Sequence, residues 1–267
     1  MCEVFDISRA AYYDWLKRSA QKDKDLYRMR LIQEGWIASR KRYGYRRIVL
    51  WLQREKGLIF NHKAVLRLMN KMHIHSTARK TKIYVKSDAK KNLHRYENIL
   101  KSDFTATEPN QKWVTDITYI QYLGGRAYLS VIKDLYDQFI VAYQLGKRMT
   151  TGLVTDTLEA AIKREQQLSG LILHSDQGLQ YASQKYFELT KKYEITPSMS
   201  RPGHCGDNAS IENFFGHFKE ESLRQYIRPS YSEVKEIVDE YIHFYNYERL
   251  QLKTKQTPYE ARCLFNS

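Results

Sequence analysis

Two aspartates and a glutamate stand in settings that suit metal chemistry. Asp116 falls inside the β-branched and aromatic run Trp113-Val114-Thr115-Asp116-Ile117-Thr118-Tyr119-Ile120, and Asp176 closes the short apolar run Leu171-Ile172-Leu173-His174-Ser175 just before Gln177-Gly178. Glu212 follows near the start of a helical stretch, Asp207-Asn208-Ala209-Ser210-Ile211-Glu212-Asn213-Phe214-Phe215, so its carboxylate can be turned back toward strand ends. Carboxylate oxygens are the ligands that Mg²⁺ and Mn²⁺ prefer, and such ions bridge readily to phosphate. Two of them about 3.5–4 Å apart activate an attacking hydroxyl and stabilise the leaving oxygen in phosphoryl transfer. Each acid also has an ordinary use. Asp116 can be an edge-strand residue facing water, Asp176 with Ser175 a turn cap, and Glu212 a charge at the positive end of its helix.

Strands and helices around these acids follow from local pattern. Trp113 to Ile120, Ala127 to Ile132 and Phe139 to Tyr143 predict three strands, the first two joined at Gly124-Gly125, and therefore an antiparallel meander. A helix over 151–167, a strand over 171–176, a helix over 183–193 and a short strand over 195–199 extend this to a mixed sheet with helices on its faces. Asp116 and Asp176 are expected at the edge of that sheet. Further helices are expected over 209–224 and 232–247.

Upstream of this region the texture differs. The apolar residues Ala10, Tyr13, Trp15 and Leu16 behind a Ser8 cap predict a helix, and another begins at Leu26. A third carries Ile48, Val49, Trp51 and Leu52 and stops at Gly57, and a fourth, capped by Asn61, turns Val65, Leu66, Leu68, Met69 and Met72 inward. Lys63, Arg67 and Lys71 recur every four residues on that last helix and share one face, the pattern of a helix-turn-helix that meets DNA. Residues 1–100 carry 24 Lys and Arg against 9 Asp and Glu, whereas residues 101–267 carry 20 against 21. The whole excess of the +14 chain is thus N-terminal, as expected of a phosphate-gripping module beside a charge-balanced one. The expected divisions are a helical DNA-binding region at 1–75, a basic linker at 76–110, a catalytic core at 111–225 and a helical extension at 226–267.

Composition excludes other classes. With 42% apolar residues the chain can bury a core, so wholesale disorder is not expected. No run of 18 uncharged apolar residues and no basic start followed by an apolar stretch is present, so no membrane span or secretory signal is expected and the chain reads as cytoplasmic. Cys2, Cys205 and Cys263 lie too far apart for a Cys-x-x-Cys pair, which excludes a disulfide framework and a four-ligand zinc site by spacing.

Together these segments resemble insertion-sequence transposases of the DDE family, polynucleotidyl transferases related to retroviral integrases. The resemblance rests on Trp113-Val114-Thr115-Asp116-Ile117-Thr118, on His174-Ser175-Asp176-Gln177-Gly178 with Gln180-Tyr181, and on Asp207-Asn208-Ala209 with Glu212-Asn213-Phe214-Phe215. Between Asp176 and Glu212 lie 35 residues, an interval similar to that of the family, and Tyr245-Asn246-Tyr247-Glu248-Arg249-Leu250 with Thr257-Pro258 is similar to its closing motif. Ser8-Arg9, Tyr12-Tyr13-Asp14-Trp15 and Tyr43-Gly44-Tyr45-Arg46-Arg47-Ile48 are similar to its DNA-binding half, so the likeness covers nearly the whole chain. It lacks the His-His-Cys-Cys zinc module of retroviral integrases: His73 and His75 have no cysteine partners.

The resemblance implies a ribonuclease-H-like, mixed five-stranded sheet flanked by helices, preceded by a helix-turn-helix region. It implies metal-dependent strand cleavage and 3′-hydroxyl strand transfer at the ends of an insertion sequence, with Asp116, Asp176 and Glu212 holding two Mg²⁺ or Mn²⁺ ions. In that reading Lys219, two helical turns beyond Glu212, grips DNA, Arg46 and Arg47 join Lys63, Arg67 and Lys71 as DNA contacts, and His174 and Asn208 orient ligands from behind. A bacterial host, association with the nucleoid, a homo-multimer on the element's terminal inverted repeats and target DNA, and an upstream-frame partner or fusion with a helix-turn-helix and coiled coil are further implications. Two rivals remain open at this stage: a ribonuclease-H-like nuclease that never joins strands, and a non-catalytic DNA-binding remnant.

Overall fold

The computed structural model describes residues 8–20, 25–76, 94–165 and 168–265. They form two compact units, Met1–Thr77 and Ala78–Ser267.

In the first unit, α1 (Arg9–Ala20), α2 (Leu26–Ala38), α3 (Tyr45–Lys56) and α4 (His62–Lys71) follow one another. The Ser8 hydroxyl accepts from the Ala11 amide at 3.1 Å, the cap expected there. Leu31 and Ile32 of α2, Ile48, Leu50 and Leu52 of α3, and Val65, Leu68 and Met69 of α4 are buried. Gly35 lets α2 and α3 approach, since a Cβ there would fall 2.6 Å from Trp51 Cε3. Gly57, in the left-handed region at φ 65°, ends α3, and the Asn61 side chain accepts from the Lys63 amide at 2.8 Å to start α4. Leu66, expected inside, is exposed because Val65, Leu68 and Met69 define a narrower inward stripe. Both ends of the α3–α4 turn are therefore set by local sequence.

The second unit is built on β1 (Lys112–Tyr122), β2 (Gly125–Asp134), β3 (Ile140–Gly146), β4 (Ile172–Ser175) and β5 (Thr196–Met199), in spatial order β3-β2-β1-β4-β5. β1, β2 and β3 pair antiparallel; β4 and β5 continue the sheet parallel to β1. The expected mixed five-stranded sheet is present. α5 (Thr151–Arg164) and α6 (Gln184–Lys192) make the crossovers to β4 and β5, with Thr150 and Ser183 accepting at their N-termini. Their apolar sides meet Trp113, Ile132, Phe139, Val141, Leu171, Leu173 and Met199 in one buried cluster. α7 (Ala209–Glu221) and α8 (Tyr231–His243) bury Ile211, Phe214, Phe218, Val234, Val238 and Tyr241. α7 is shorter than expected and passes into a 3₁₀ turn, while α8 ends in a π turn, Phe244–Glu248.

Residues 94–110, expected as the end of a linker, pack on this unit instead. The amides of Ile99 and Leu100 donate to the Ser198 hydroxyl at 3.0 and 3.3 Å, Met199 donates to the Glu97 carbonyl, and Leu100 is buried. Basic composition hid a stretch whose role is to satisfy the β5 edge. The rest of the expected linker, 77–93, lies outside the described residues. A last helix, α9 (Pro258–Phe265), docks through Arg262, which reaches Asp134, Asp137 and Glu165 at 2.8, 2.6 and 2.5 Å. Among the described residues no helix is long and apolar enough to cross a membrane.

Candidate active site

Register explains where the first two acids fall. Lys112, Trp113 and Val114 of β1 pair with Ile172, Leu173 and His174 of β4, and the pairing ends there. Asp116 and Asp176 each lie two residues past the last pair, Asp176 just beyond the end of β4 and Asp116 at the same level within β1, which runs on to Tyr122. β1 is the central strand, not an edge, yet beyond Val114 nothing pairs on its β4 side. A crevice at the carboxyl ends of parallel strands is where open α/β sheets place ligands.

Backbone groups hold both carboxylates. Asp116 Oδ1 accepts from the Ile117 amide at 2.7 Å, and Asp176 Oδ1 accepts from the Gly178 amide at 2.8 Å. Gly178 is needed close in: a Cβ there would sit 2.9 Å from Asp176 Oδ1. Glu212 comes from the first turn of α7, and Lys219 from its last. The start of α7 is tied to β1 by Asn208, whose amide donates to the Thr115 carbonyl at 3.2 Å, while its buried Oδ1 has no hydrogen-bond partner.

The electrostatics show the acids acting on one another. Burial, then Asp176, then Glu212 push the Asp116 carboxyl well above its ordinary range, against the Ile117 hydrogen bond and the Lys219 charge. Burial also raises Asp176, although it keeps an exposed face, and the Gly178 amide opposes the rise. Chemically this donor set fits a divalent cation, because oxygen ligands whose burial and mutual repulsion favour protons are relieved by positive charge. Geometrically, among the described residues no three His, Cys, Asp or Glu side chains are drawn together as a finished ligand cluster.

The expected supporting residues divide. His174 is fully buried, with Nδ1 2.8 Å from the Ser198 hydroxyl and Nε2 3.1 Å from that of Ser200. Both ring nitrogens are thus taken by hydroxyls from β5 and the chain beyond it, and burial lowers the imidazole to about 4. His174 clamps β4 to its neighbour and turns no nitrogen to the carboxylates. Lys63, Arg67, Lys71, Arg46 and Arg47 belong to the other unit. There Arg67 is paired with Asp25 at 2.7 Å, and Arg46 lies on the Tyr45 ring with its Nε donating to the Tyr45 hydroxyl at 3.1 Å.

Several residues hold the site in roles that sequence reasoning did not assign, although Asp207, Asn246 and Arg249 stand in motifs it quoted. Asp207, just ahead of α7, accepts from Asn98, Ser102 and Arg201, fixing the loop between β5 and α7. Arg249 makes a bidentate pair with Glu221 at 2.9 and 2.8 Å, and Tyr241 adds its hydroxyl to the same carboxylate. Asn246 accepts from the Ile140 amide and donates to the Ile140 carbonyl, standing in for a further strand at the β3 edge. Buried Lys133 donates to the Ser210 carbonyl at 2.7 Å, and burial lowers its amine to about 7. The closing motif was visible, but which partner each residue takes required the fold.

Known proteins match this layout. Integrase core domain models match residues 106–205 and 193–251, and an HTH-like domain model matches 22–82. A protein of Escherichia coli strain K12 named as the transposase of insertion sequence element IS150 is 40% identical over 96% of this chain and 90% of its own length. The same organism's IS3 transposase is 33% identical over 84% and 78%. A simian T-cell lymphotropic virus intasome structure aligns with 80% of this chain and 73% of its own at TM-score 0.50 and 16% identity, a likeness of fold. With these matches running through the sheet that carries Asp116 and Asp176 and through α7, the chain belongs to the insertion-sequence transposases with an integrase core domain.

Proposed function

We propose that this transposase cuts one DNA strand at the end of an insertion sequence with water and then joins the freed 3′-hydroxyl to another phosphodiester. The reading is supported above all by Asp116, whose carboxyl is raised by burial and by both Asp176 and Glu212. In the first step a water oxygen bonds to phosphorus and the P–O3′ bond breaks, leaving a 3′-hydroxyl and a 5′-phosphate. In the second, that 3′-oxygen bonds to the target phosphorus and the target's own 3′-oxygen leaves, so one phosphodiester replaces another and no energy-rich nucleotide is needed.

Asp116, Asp176 and Glu212 would supply the oxygen donors for two Mg²⁺ or Mn²⁺ ions. Bound there, such ions activate the attacking oxygen and neutralise charge on the leaving one. Lys219, whose charge acts on Asp116, would hold phosphate, and Asn208 keeps the start of α7 against β1. The helical unit brings the affinity for DNA through Lys63, Lys71, Arg46 and Arg47, with Arg67 in a lesser part. Family likeness further suggests a multimer pairing two element ends, and an upstream-frame partner that completes recognition.

The test is a gel assay with labelled linear DNA carrying the element's own end, Mg²⁺ or Mn²⁺, and wild-type protein beside Glu212→Gln. Joined products that vanish in the variant establish the proposal. Cleavage without joining points to a nuclease, and tight binding with neither product points to a non-catalytic DNA-binding protein.

A further inference from the structure

Three residues beside the carboxylates are not accounted for by the acid triad. Tyr119 lies three residues beyond Asp116 on β1, roughly 10 Å along the strand, and is 52% exposed. Two cations sit over its ring: Lys219 Nζ at 4.9 Å from the centroid and Arg126 Cζ at 5.3 Å. Arg126 stands opposite Gln121 in the β1–β2 register, and the Gln121 amide, oriented with its oxygen toward Arg126 Nε at 3.1 Å, steadies the guanidinium with a neutral partner. A half-exposed aromatic ring with cations over it is a combination that holds unpaired nucleotides: a cation swings from the ring to the phosphate and the base stacks in its place. Lys219 ties the group to the site, because its charge also acts on Asp116. Tyr119 leaves β1 on the face opposite Asp116, and Lys219 is the side chain that reaches both.

We infer that Tyr119, Arg126 and Lys219 form a nucleotide-binding subsite in which an unpaired base next to the reacting phosphate stacks on the Tyr119 ring and its phosphate lies between the two cations. The subsite rests on the reading of Asp116, Asp176 and Glu212 as the centre that acts on DNA. It gives the β1–β2 hairpin the task of holding a DNA end that has come unpaired before it is cut or joined.

The experiment uses the full chain and a duplex carrying the element's end, with 5-iododeoxyuridine placed in turn at each terminal position of the reacting strand. Irradiation without divalent metal, followed by digestion and mass spectrometry, is expected to cross-link one position to Tyr119. Tyr119→Ala should lower joining about 10-fold at limiting DNA, while Tyr119→Phe stays near wild type. An abasic site at the cross-linked position should weaken wild type by a similar factor and leave Tyr119→Ala unaffected, since base and ring are then one interaction. Cross-links that avoid Tyr119, or an equal abasic penalty in both proteins, would overturn the subsite. Because Tyr119 is exposed, its variants should melt with wild type, and the abasic comparison within wild type stands even if one does not. A wild-type protein that cross-links at Tyr119 but never cuts or joins would sink the proposed reaction and leave the subsite; normal joining that is indifferent to Tyr119→Ala would do the reverse.

Discussion

At the scale of single residues, burial and repulsion make the acid site a place where folding works against charge. Asp116 favours its protonated form in the folded chain, so it lowers stability as pH rises above its ordinary carboxylate range. Asp116→Asn should therefore raise the melting temperature at neutral pH by a few degrees while abolishing cleavage. Adding Mg²⁺ should raise the melting temperature of wild type, by the linkage of binding to folding, and do so far less in the variant. A calorimetric scan with and without Mg²⁺ checks both, and a variant that melts below wild type would refute the destabilising role. His174 works in the opposite pH range. Its neutral ring is held by Ser198 and Ser200 and its pKa is lowered to about 4, so its contribution is complete above the ordinary value near 6.5 and is lost as pH falls from there. Melting temperature recorded from pH 7.5 to 4 should drop steeply below about 6.5 in wild type and more shallowly in His174→Gln, which starts lower.

Between elements, the decisive feature is how α7 is held at both ends. Asn208 and Lys133 secure its start to β1 and β2, and the Glu221–Arg249 pair secures its end to the turn after α8. Arg249 is 2% exposed and lies over the Tyr245 ring, so removing it takes from the buried Glu221 its bidentate cationic partner. Arg249→Ala should cost about 3–5 kcal/mol in urea unfolding and lower cleavage even where the protein is folded, through displacement of Glu212 and Lys219. A loss under 1 kcal/mol would show that the pair carries little. Strand and helix signals were largely legible: the Gly124-Gly125 turn, the Ser8 cap and the Asn61 cap all sit where sequence puts them. The π turn was not, because a shift to wider hydrogen bonding follows from the packing of Phe244, Tyr245 and Asn246 and has no sequence signature. α9 could have been found from Thr257 and Glu260, which cap each other reciprocally.

For the molecule as a whole, charge and chemistry are divided between two units. The helical unit, residues 1–77, carries 17 Lys and Arg against 7 Asp and Glu and so a net charge of +10, while the acids lie in residues 101–267, with a net charge of −1. Binding to DNA should weaken steeply with salt, and Lys63→Gln should reduce the slope of log affinity against log salt by about 1. Arg67→Gln should change it less, because Arg67 already spends part of its charge on Asp25. Fluorescence anisotropy on a labelled end between 50 and 300 mM salt, on the order of the range over which counterion release is read, measures both slopes. Equal slopes in wild type and Lys63→Gln would remove Lys63 from the contact surface.

Sequence by itself determined the acids, their spacing, the strand pattern, the basic N-terminal half and the family they point to, because each is a local or periodic property of the chain. Only the tertiary structure decided that β1 is central and loses its β4 neighbour just before Asp116, that residues 94–110 belong to the sheet unit, and that His174 faces hydroxyls instead of the carboxylates. It also decided that Arg249 closes on Glu221 and that Arg126 and Lys219 share the Tyr119 ring. The reason is common to all of these. They are pairings between residues distant along the chain, and a side chain's type limits what it can bind without choosing which of the possible partners the packed sheet and helices bring within reach.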